Sequence, residues 1–264
     1  MASPRRLVFG QVAELYDRSR PSYPDALIDD LLGQSGLGEG DRALEVGAGT
    51  GKATRLIGAR GIPVLAIEPS AEMAAVARRA CAQYPLVEVV ESDFESWEPR
   101  AGGDRFRLLF SAQAWHWIDP AVAYLRARAA LADGGLLAAF WNRPAWGPSE
   151  LRRALSAAYH AAAPEMGSDG PLHPDNTKDF TDENWHQTLA AADGFADAEV
   201  RRYPWELVYS AQAYADLLAT LSEVRLLESE TRERLLAGVR ATIDEYGGAL
   251  AMPMETGAGL ARAV

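Results

Sequence analysis

A glycine-rich turn at residues 47–51 constrains the fold of this 264-residue chain more than any other feature. The apolar run Ala43–Val46 before it predicts a β-strand, and a helical pattern follows from Lys52 to about Arg60. Glycine lacks a Cβ, so the backbone can turn sharply here and a ligand can approach it closely. The helix start adds unpaired N–H groups and a partial positive charge. The pattern predicts a strand–turn–helix unit of an open α/β sheet, with a ligand at the carboxyl end of the strand.

The spacing of the glycines excludes two of the ligand classes that bind such turns. The dinucleotide fingerprint Gly-x-Gly-x-x-Gly, counted from Gly47, requires a glycine where Lys52 stands. The phosphate loop requires a glycine at Val46 and a serine or threonine at Ala53. A turn that only redirects the chain is the structural alternative. The pattern that remains is an acidic residue followed by alternating glycines: Glu45, Gly47, Gly49 and Gly51.

This pattern resembles motif I of the class I S-adenosylmethionine-dependent methyltransferases, and the chain resembles their small-molecule, type 11-like group. The resemblance spans roughly residues 8–142 and is weaker from residue 195 onward. It implies an α/β fold: a Rossmann-like, seven-stranded, mostly parallel sheet with helices on both faces and a helical cap. The implied cofactor is S-adenosylmethionine, with Glu45 near its methionyl part. The residues expected against the cofactor in the turn are Gly47, Ala48, Gly49 and Gly51.

Two further acidic residues follow the next two predicted strands. Glu68 ends the apolar run Ile62–Ile67, about twenty residues beyond the glycine turn, where dinucleotide folds place an acid on ribose hydroxyls. A carboxylate accepts hydrogen bonds from both hydroxyls of a diol. Asp93 follows the predicted strand Val87–Val90, and the resemblance implies that it accepts a hydrogen bond from the adenine amino group, beside Phe94. A surface charge at Glu68 and a charged loop at Asp93 are the alternatives.

The resemblance assigns other residues to the pocket. Tyr16 and Tyr23 lie in an N-terminal segment that closes the site in the resembled family, with Tyr23 on the substrate side. Packing at a helix boundary is the alternative for both tyrosines. Met73 is expected near the adenine, and core packing explains it equally well. The further cofactor-binding candidates are Arg20, Pro69, Ala112 and Gln113.

An aromatic cluster follows the fourth predicted strand, Phe106–Ala112. Histidine titrates at about pH 6.5, so His116 is the candidate catalytic base, and a structural hydrogen bond is its alternative role. Tryptophan combines a large apolar ring with an N–H donor. Trp115, Trp117 and Trp146 are therefore candidates for the wall of a substrate cavity, and burial in the core is the alternative for at least one of Trp115 and Trp117.

The chain divides into four predicted segments. Residues 1–40 are expected to form a helical segment that closes over the cofactor, and residues 41–142 the Rossmann-like core. Residues 143–195 contain an irregular stretch with prolines and glycines and predict a helical lid over the substrate, because long functional loops often cover active sites. Residues 196–264 are expected to supply the C-terminal strands with inserted helices.

The amino-acid composition limits the kinds of binding partner and the cellular compartment that we expect. A net charge of −11 disfavours broad binding to nucleic-acid backbones. Cys81 is the only cysteine, which fits a reducing compartment, and neither a signal peptide nor a membrane-spanning stretch is evident. We expect a cytoplasmic monomer or homodimer. No metal site is predicted, because the spacing of three histidines shows no ligand pattern: His160, His173 and His186.

These observations predict an enzyme that transfers a methyl group from S-adenosylmethionine to a small-molecule acceptor by direct in-line displacement. The methyl donor is already activated, so the protein's main tasks are orientation and exclusion of water. One alternative is a non-catalytic S-adenosylmethionine-binding or regulatory protein. The other is a nucleotide-dependent oxidoreductase, which the missing fingerprint glycine disfavours.

Overall fold

A computed structural model describes residues 13–99, 105–176 and 185–264, with the side chains of residues 185 and 186 outside the described part. The strands in chain order are β1 (Ala43–Val46), β2 (Val64–Glu68), β3 (Val87–Glu91), β4 (Phe106–Ala112), β5 (Leu131–Pro144), β6 (Phe195–Ser210) and β7 (Ala249–Ala263). The α-helices are α1 (Ala13–Ser19), α2 (Asp25–Ser35), α3 (Lys52–Gly58), α4 (Ala71–Cys81), α5 (Pro120–Ala130), α6 (Glu150–Ala162), α7 (Trp185–Ala190), α8 (Ala211–Ala219), α9 (Ser222–Arg225) and α10 (Ser229–Glu245).

The seven strands form one sheet in the order β3-β2-β1-β4-β5-β7-β6. The pairings of β1 with β2, β1 with β4, β2 with β3 and β4 with β5 are all parallel. The strand order reverses between β1 and β4, which makes the crevice at their carboxyl ends the expected ligand position of the sheet. The arrangement confirms the predicted Rossmann-like, seven-stranded, mostly parallel sheet.

The central strands are covered on both faces. Every residue of β1 and β2 is buried, as expected when helices pack on both sides of a parallel sheet. Burial of each large apolar side chain contributes about 1.5–3 kcal/mol to this packing. The core cluster joins residues of α2 and α3 to residues of the central strands: Leu27, Ile28, Leu31, Ile57, Val64, Leu108 and Phe110.

The chain forms two compact units, each built from separate stretches of sequence. The first contains the described residues of Met1–Pro21, Arg143–Asp182 and Pro204–Glu255. The second contains those of Ser22–Asn142, Glu183–Tyr203 and Thr256–Val264. The first unit has an apolar core of its own, which includes Leu155, Tyr159, Tyr214, Leu217, Leu235 and Val239. The predicted segments 143–195 and 196–264 each contribute to both units.

Strands β5 and β7 are each longer than the central strands β1 and β2. β5 begins at Leu131 and includes Gly134. β7 includes Met252 and Met254, and both methionines are buried. Within the described residues, no helix has the length and apolar composition that crossing a bilayer requires.

Candidate active site

The three glycines of the turn all have positive φ, but they serve different purposes. A Cβ on Gly47 (φ 73°) would lie 2.5 Å from the Cβ of Ala114. A Cβ on Gly51 (φ 80°) would lie 3.1 Å from the Sγ of Cys81 in α4. At Gly49 (φ 57°) no atom of the described residues lies within 4 Å of the Cβ position. Two glycines therefore permit close packing, while the middle one leaves backbone open to a ligand.

Glu68 connects this turn to the beginning of α4. Its Oε2 accepts a hydrogen bond from the backbone N–H of Gly49 at 2.8 Å, and its Oε1 accepts one from the N–H of Ser70 at 2.9 Å. The side chain is buried at the carboxyl end of β2. Charge-assisted bonds to both oxygens hold the carboxylate in one orientation beside the open face of Gly49.

Glu45 lies in β1 and is almost completely buried. Its Oε2 accepts a hydrogen bond from the hydroxyl of Thr54, whereas its Oε1 has no hydrogen-bond partner among the described residues. Burial raises the pKa of Glu45 to about 8, and the nearby charge of Glu68 also raises it, against the lowering effect of the Thr54 bond. A buried oxygen without a partner is unfavourable, so this position favours a ligand that brings a donor or a positive charge.

The carboxyl end of β4 carries a strained residue. Gln113 has a φ of 61°, a left-handed conformation that costs a non-glycine residue about 1–3 kcal/mol. Its N–H donates to the carbonyl of Phe140 at 2.8 Å, and its side-chain amide donates to the carbonyl of Asn142 at 3.4 Å. Such strain clusters at functional sites, which supports the predicted position of Gln113 in the pocket.

His116 lies in a short 3₁₀ turn, Trp115–Trp117, and its side chain is exposed. Its Nδ1 accepts a hydrogen bond from the indole N–H of Trp141 at 3.2 Å. A neutral imidazole that accepts at Nδ1 carries its proton on Nε2. The contact with Trp141 therefore favours a form of His116 that donates a hydrogen bond from Nε2. The rings of His116 and Trp117 are 4.8 Å apart, between centroids.

Two residues at the end of β5 were missed by the sequence analysis. Trp141 orients His116, and Asn142 joins three stretches of the second unit. The side chain of Asn142 donates to the carbonyl of Ser22 at 2.8 Å and accepts from the hydroxyl of Thr256 at 2.6 Å. The available signal was position, because parallel sheets bind ligands at the carboxyl ends of their strands and both residues lie there.

The acidic residue after β3 lies beside a buried aromatic cluster. Asp93 is half-buried and accepts a hydrogen bond from the N–H of Ser96 at 2.8 Å. The ring of Phe94 stacks on Trp97 at 6.4 Å and lies 6.4 Å from Trp115. Phe94 and Trp115 are both buried, which supports the core-packing alternative for Trp115.

Several other predicted pocket residues also contribute to packing in the second unit. Tyr23 is buried, with its ring edge-on to Phe140 at 5.0 Å. Met73 is buried in the first turn of α4, so core packing accounts for it. Pro69 joins β2 to α4 and Ala112 ends β4, and both are half-buried at the carboxyl edge of the sheet.

Three predicted residues belong to the first unit. The guanidinium of Arg20 donates to the hydroxyl of Thr220 at 2.9 Å and to its carbonyl at 3.2 Å. It also lies over the ring of Tyr16, 4.9 Å from the centroid. Trp146 packs against the apolar core of this unit, and its indole N–H is buried without a partner in the described part of the chain. Roles for these residues at the cofactor or substrate stay predictions.

Comparison with known proteins identifies the family. A profile of the methyltransferase domain matches residues 44–139, which include the glycine turn and end within β5. An uncharacterized methyltransferase of Mycobacterium tuberculosis is 30% identical over 256 residues, covering 95% of this chain and 93% of that protein. The chain belongs to the class I S-adenosylmethionine-dependent methyltransferases. Its cofactor is S-adenosylmethionine.

Other relatives of this methyltransferase match it over less of the chain or in fold alone. Trans-aconitate 2-methyltransferase of Paracidovorax citrulli is 31% identical over 125 residues, 46% of this chain and 44% of that protein. A protein assigned as a type II methyltransferase from Anaeromyxobacter dehalogenans has a TM-score of 0.63 and 20% identity, covering 92% and 97% of the two chains. Phosphoethanolamine N-methyltransferase 2 of Haemonchus contortus, solved with S-adenosylmethionine, has a TM-score of 0.50 and 17% identity, covering 96% and 56%. Structural matches at these identities show the fold.

The residues at the glycine turn of this methyltransferase suit its cofactor. S-adenosylmethionine carries a positively charged sulfonium, an ammonium group and a ribose diol, and it has no phosphate. The unpaired Oε1 of buried Glu45 offers an acceptor for a positively charged group, and the anchored carboxylate of Glu68 offers one for hydroxyls. The open face at Gly49 lets a ligand approach the backbone between them.

Proposed function

We propose that this methyltransferase transfers the methyl group of S-adenosylmethionine to a small-molecule acceptor by direct in-line displacement. The observation that carries the proposal is the open backbone at Gly49 between two buried carboxylates, Glu45 and Glu68. The cofactor supplies a methyl group already activated on a sulfonium. The partial similarity to trans-aconitate 2-methyltransferase, whose name specifies a small acceptor, supports the acceptor class.

The protein's own contribution is binding, orientation and exclusion of water. Glu45 offers a carboxylate to positive charge, because ionisation is favoured once a cation compensates for its burial. Glu68 offers a carboxylate that two backbone N–H groups already hold in place. Orientation of this kind lowers the barrier to a bimolecular displacement without a strongly basic residue. The net charge of −11 favours acceptors other than nucleic acid.

His116 serves this reaction as a positioning residue in our proposal. To act as a base through Nε2, the ring would need its proton on Nδ1, and the hydrogen bond from Trp141 would then be lost. With that bond intact, Nε2–H donates to an acceptor oxygen or nitrogen and helps to orient it. The cytoplasmic location and the monomeric or dimeric state stay predictions.

The experiment is a methyl-transfer assay with S-adenosylmethionine and a panel of carboxylate, hydroxyl, amine and carbon acceptors. Mass spectrometry would detect both the methylated acceptor and S-adenosylhomocysteine. We expect turnover with at least one acceptor class. Cofactor binding without transfer to any acceptor would instead support the non-catalytic binding protein.

The role of His116 is tested by two variants once an acceptor is known. We expect His116→Ala to lower kcat about tenfold or more while the affinity for S-adenosylmethionine stays near the wild-type value. Trp141→Phe keeps an aromatic ring but removes the indole donor, so it should have a smaller effect in the same direction. Equal losses of turnover and cofactor affinity in His116→Ala would contradict this role.

A further inference from the structure

Two histidines and an aspartate of the first unit meet beside α6. The Nε2 of His160 lies 2.9 Å from the Oδ2 of Asp175, and the Nδ1 of His173 lies 4.0 Å from the same oxygen. The potential ligand atoms of the three residues all lie within 4.8 Å of one another. His160 belongs to the last turn of α6, whereas His173 and Asp175 belong to the irregular segment 163–176. Two separate stretches of chain therefore converge on one point.

The side chains in this cluster are of the types that bind metal ions. His173 is buried, and an imidazole nitrogen offers a lone pair to an ion. Asp175 is partly buried and offers a carboxylate oxygen. The side chain of His160 is exposed, which gives an ion access from solvent.

The distances suit a tetrahedral ion after small side-chain movements. Zinc bonds of about 2.0–2.2 Å place two ligand atoms roughly 3.3–3.5 Å apart. The observed separations of 2.9 Å and 4.0 Å lie on either side of that range. The Ser156 hydroxyl donates to Asp175 Oδ2 at 2.7 Å, which is the kind of outer contact that orients a ligating carboxylate.

Two hydrogen bonds would be exchanged when an ion enters. The Nε2 of His160 leaves its hydrogen bond with Asp175 to ligate the ion, and the single ring proton of the neutral imidazole is then on Nδ1. The Nδ1 of His173 accepts a hydrogen bond from the backbone N–H of Asp175 at 3.1 Å, and this bond would be replaced by a bond to the ion. Both exchanges replace a hydrogen bond with a metal–ligand bond.

We propose that His160, His173 and Asp175 bind Zn²⁺, with water in the fourth position, and that the ion fastens the irregular segment 163–176 to α6. Imidazole nitrogen and carboxylate oxygen are both common zinc ligands. Spacing along the sequence predicted no metal site, because the ligands come from a helix and from a segment without regular geometry. None of these three residues is among the proposed cofactor residues, and the test of the site does not depend on methyl transfer.

The test is calorimetric titration of the full, metal-free chain with zinc chloride. We expect one ion per chain at micromolar affinity, with no competition from millimolar Mg²⁺, which prefers all-oxygen octahedral sites. His160→Ala and Asp175→Asn should each weaken binding about tenfold or more. Glu150→Gln is the matched control, because it removes an exposed carboxylate from the same helix, and it should bind zinc as the wild type does.

Two further measurements keep the proposal falsifiable if a variant is poorly folded. At the same zinc concentration, bound Zn²⁺ should raise the Tm of the wild type and of Glu150→Gln more than that of His160→Ala, whose changed side chain is exposed. Co²⁺ in place of zinc should give the visible absorption of a tetrahedral site in the wild type and lose it in His160→Ala. Less than one ion per chain at saturation, or unchanged binding in both ligand variants, would overturn the site.

Discussion

The cluster at the glycine turn and the cluster beside α6 both contain buried titratable groups, but they differ in how these groups are satisfied. At the turn, Glu45 has an oxygen without a partner among the described residues. Beside α6, the Asp175 carboxylate accepts hydrogen bonds from Ser156 and from His160. The turn is therefore incomplete until a charged ligand binds, whereas the second cluster is stable alone and binds an ion only by exchange.

The same contrast extends to the backbone near each cluster. Gly47, Gly49 and Gly51 have φ of 73°, 57° and 80°, and Gln113 adopts 61° although it has a side chain. Glycine adopts such φ values without strain, whereas Gln113 adopts one only because the surrounding structure maintains it. Around α6, regular helix ends in the segment 163–176, where no residue has positive φ among those described. The site at the glycine turn is distinguished by an unusual backbone, and the cluster beside α6 is distinguished by side chains that converge from two stretches of chain.

The largest expected effect comes from comparing alanine at two glycines. Gly49→Ala should weaken S-adenosylmethionine binding about 100-fold, because its Cβ would occupy the open space that we assign to the cofactor. The left-handed backbone at this alanine would also lower stability by roughly 1–2 kcal/mol. Gly47→Ala should lower the unfolding free energy by about 2–5 kcal/mol, because its Cβ would lie 2.5 Å from that of Ala114.

Calorimetry and urea unfolding would separate the two effects. Wild-type affinity in Gly49→Ala would mean that the open face at this glycine does not receive the cofactor. A Gly47→Ala variant as stable as wild type would show that the packing against Ala114 can relax.

The next effect concerns the anchored carboxylate. Glu68→Gln leaves one backbone N–H, of Gly49 or Ser70, facing an amide donor, and it removes the charge that accepts ribose hydroxyls. Hydrogen bonds to charged groups contribute about 1.5–3 kcal/mol, so cofactor affinity should fall about 10- to 100-fold. Glu72→Gln is the control, since it makes the same chemical change on the exposed side of α4. Similar affinities in the two variants would contradict the role of Glu68.

A pH-dependent effect should follow from Glu45. Its pKa is raised from 4.5 to about 8, chiefly by burial, so the folded cofactor-free protein holds a proton there that the unfolded chain releases. This contribution to stability is fully present below about pH 4.5 and is lost as pH rises through about 8. Glu45→Gln should remove it, so the stability of the variant relative to wild type should increase from pH 5 to pH 8. If urea unfolding gave parallel pH profiles of the unfolding free energy for wild type and Glu45→Gln, the raised pKa of Glu45 would not contribute to stability.

The smallest expected effect tests the strain at Gln113. Gln113→Gly relieves a φ of 61° but makes the unfolded chain more flexible, so stability should stay within about 1 kcal/mol of wild type. Turnover should fall several-fold because the contact with Asn142 is lost. Asp197→Gly makes the same backbone change at φ 54° on an exposed position of β6 and should leave turnover unchanged. Equal turnover in the two variants would show that neither the strained backbone of Gln113 nor its side chain is needed for methyl transfer.

The glycine turn and Glu68 were predictable because local geometry determines them. A strand, a tight turn, a helix and a second strand place Glu45, Gly49 and Glu68 together at fixed spacing, and the structure confirms the sheet in which they lie. Trp141 and Asn142 were not predictable in this way. Their contacts with residues after β4 exist only because β5 pairs with β4 in the sheet. The sequence of an apolar strand does not indicate which strand it will pair with.

Other differences arise from tertiary packing. His160 and His173 lie on a helix and on an irregular segment, so no sequence spacing anticipates that they meet at Asp175. Trp115 was a candidate for the substrate wall, and its burial against Phe94 depends on the fold of the chain around it. Local patterns such as glycine spacing are thus visible in one sequence, whereas contacts that need two distant segments are not.

The most direct test of the central claim is calorimetric titration of the purified protein with S-adenosylmethionine and S-adenosylhomocysteine, with NAD as the control. We expect micromolar binding of the first two ligands, no binding of NAD, and loss of both signals in Gly49→Ala. Binding of NAD, or no binding of either sulfur ligand by a folded wild-type protein, would contradict the assignment of the glycine turn as the cofactor site.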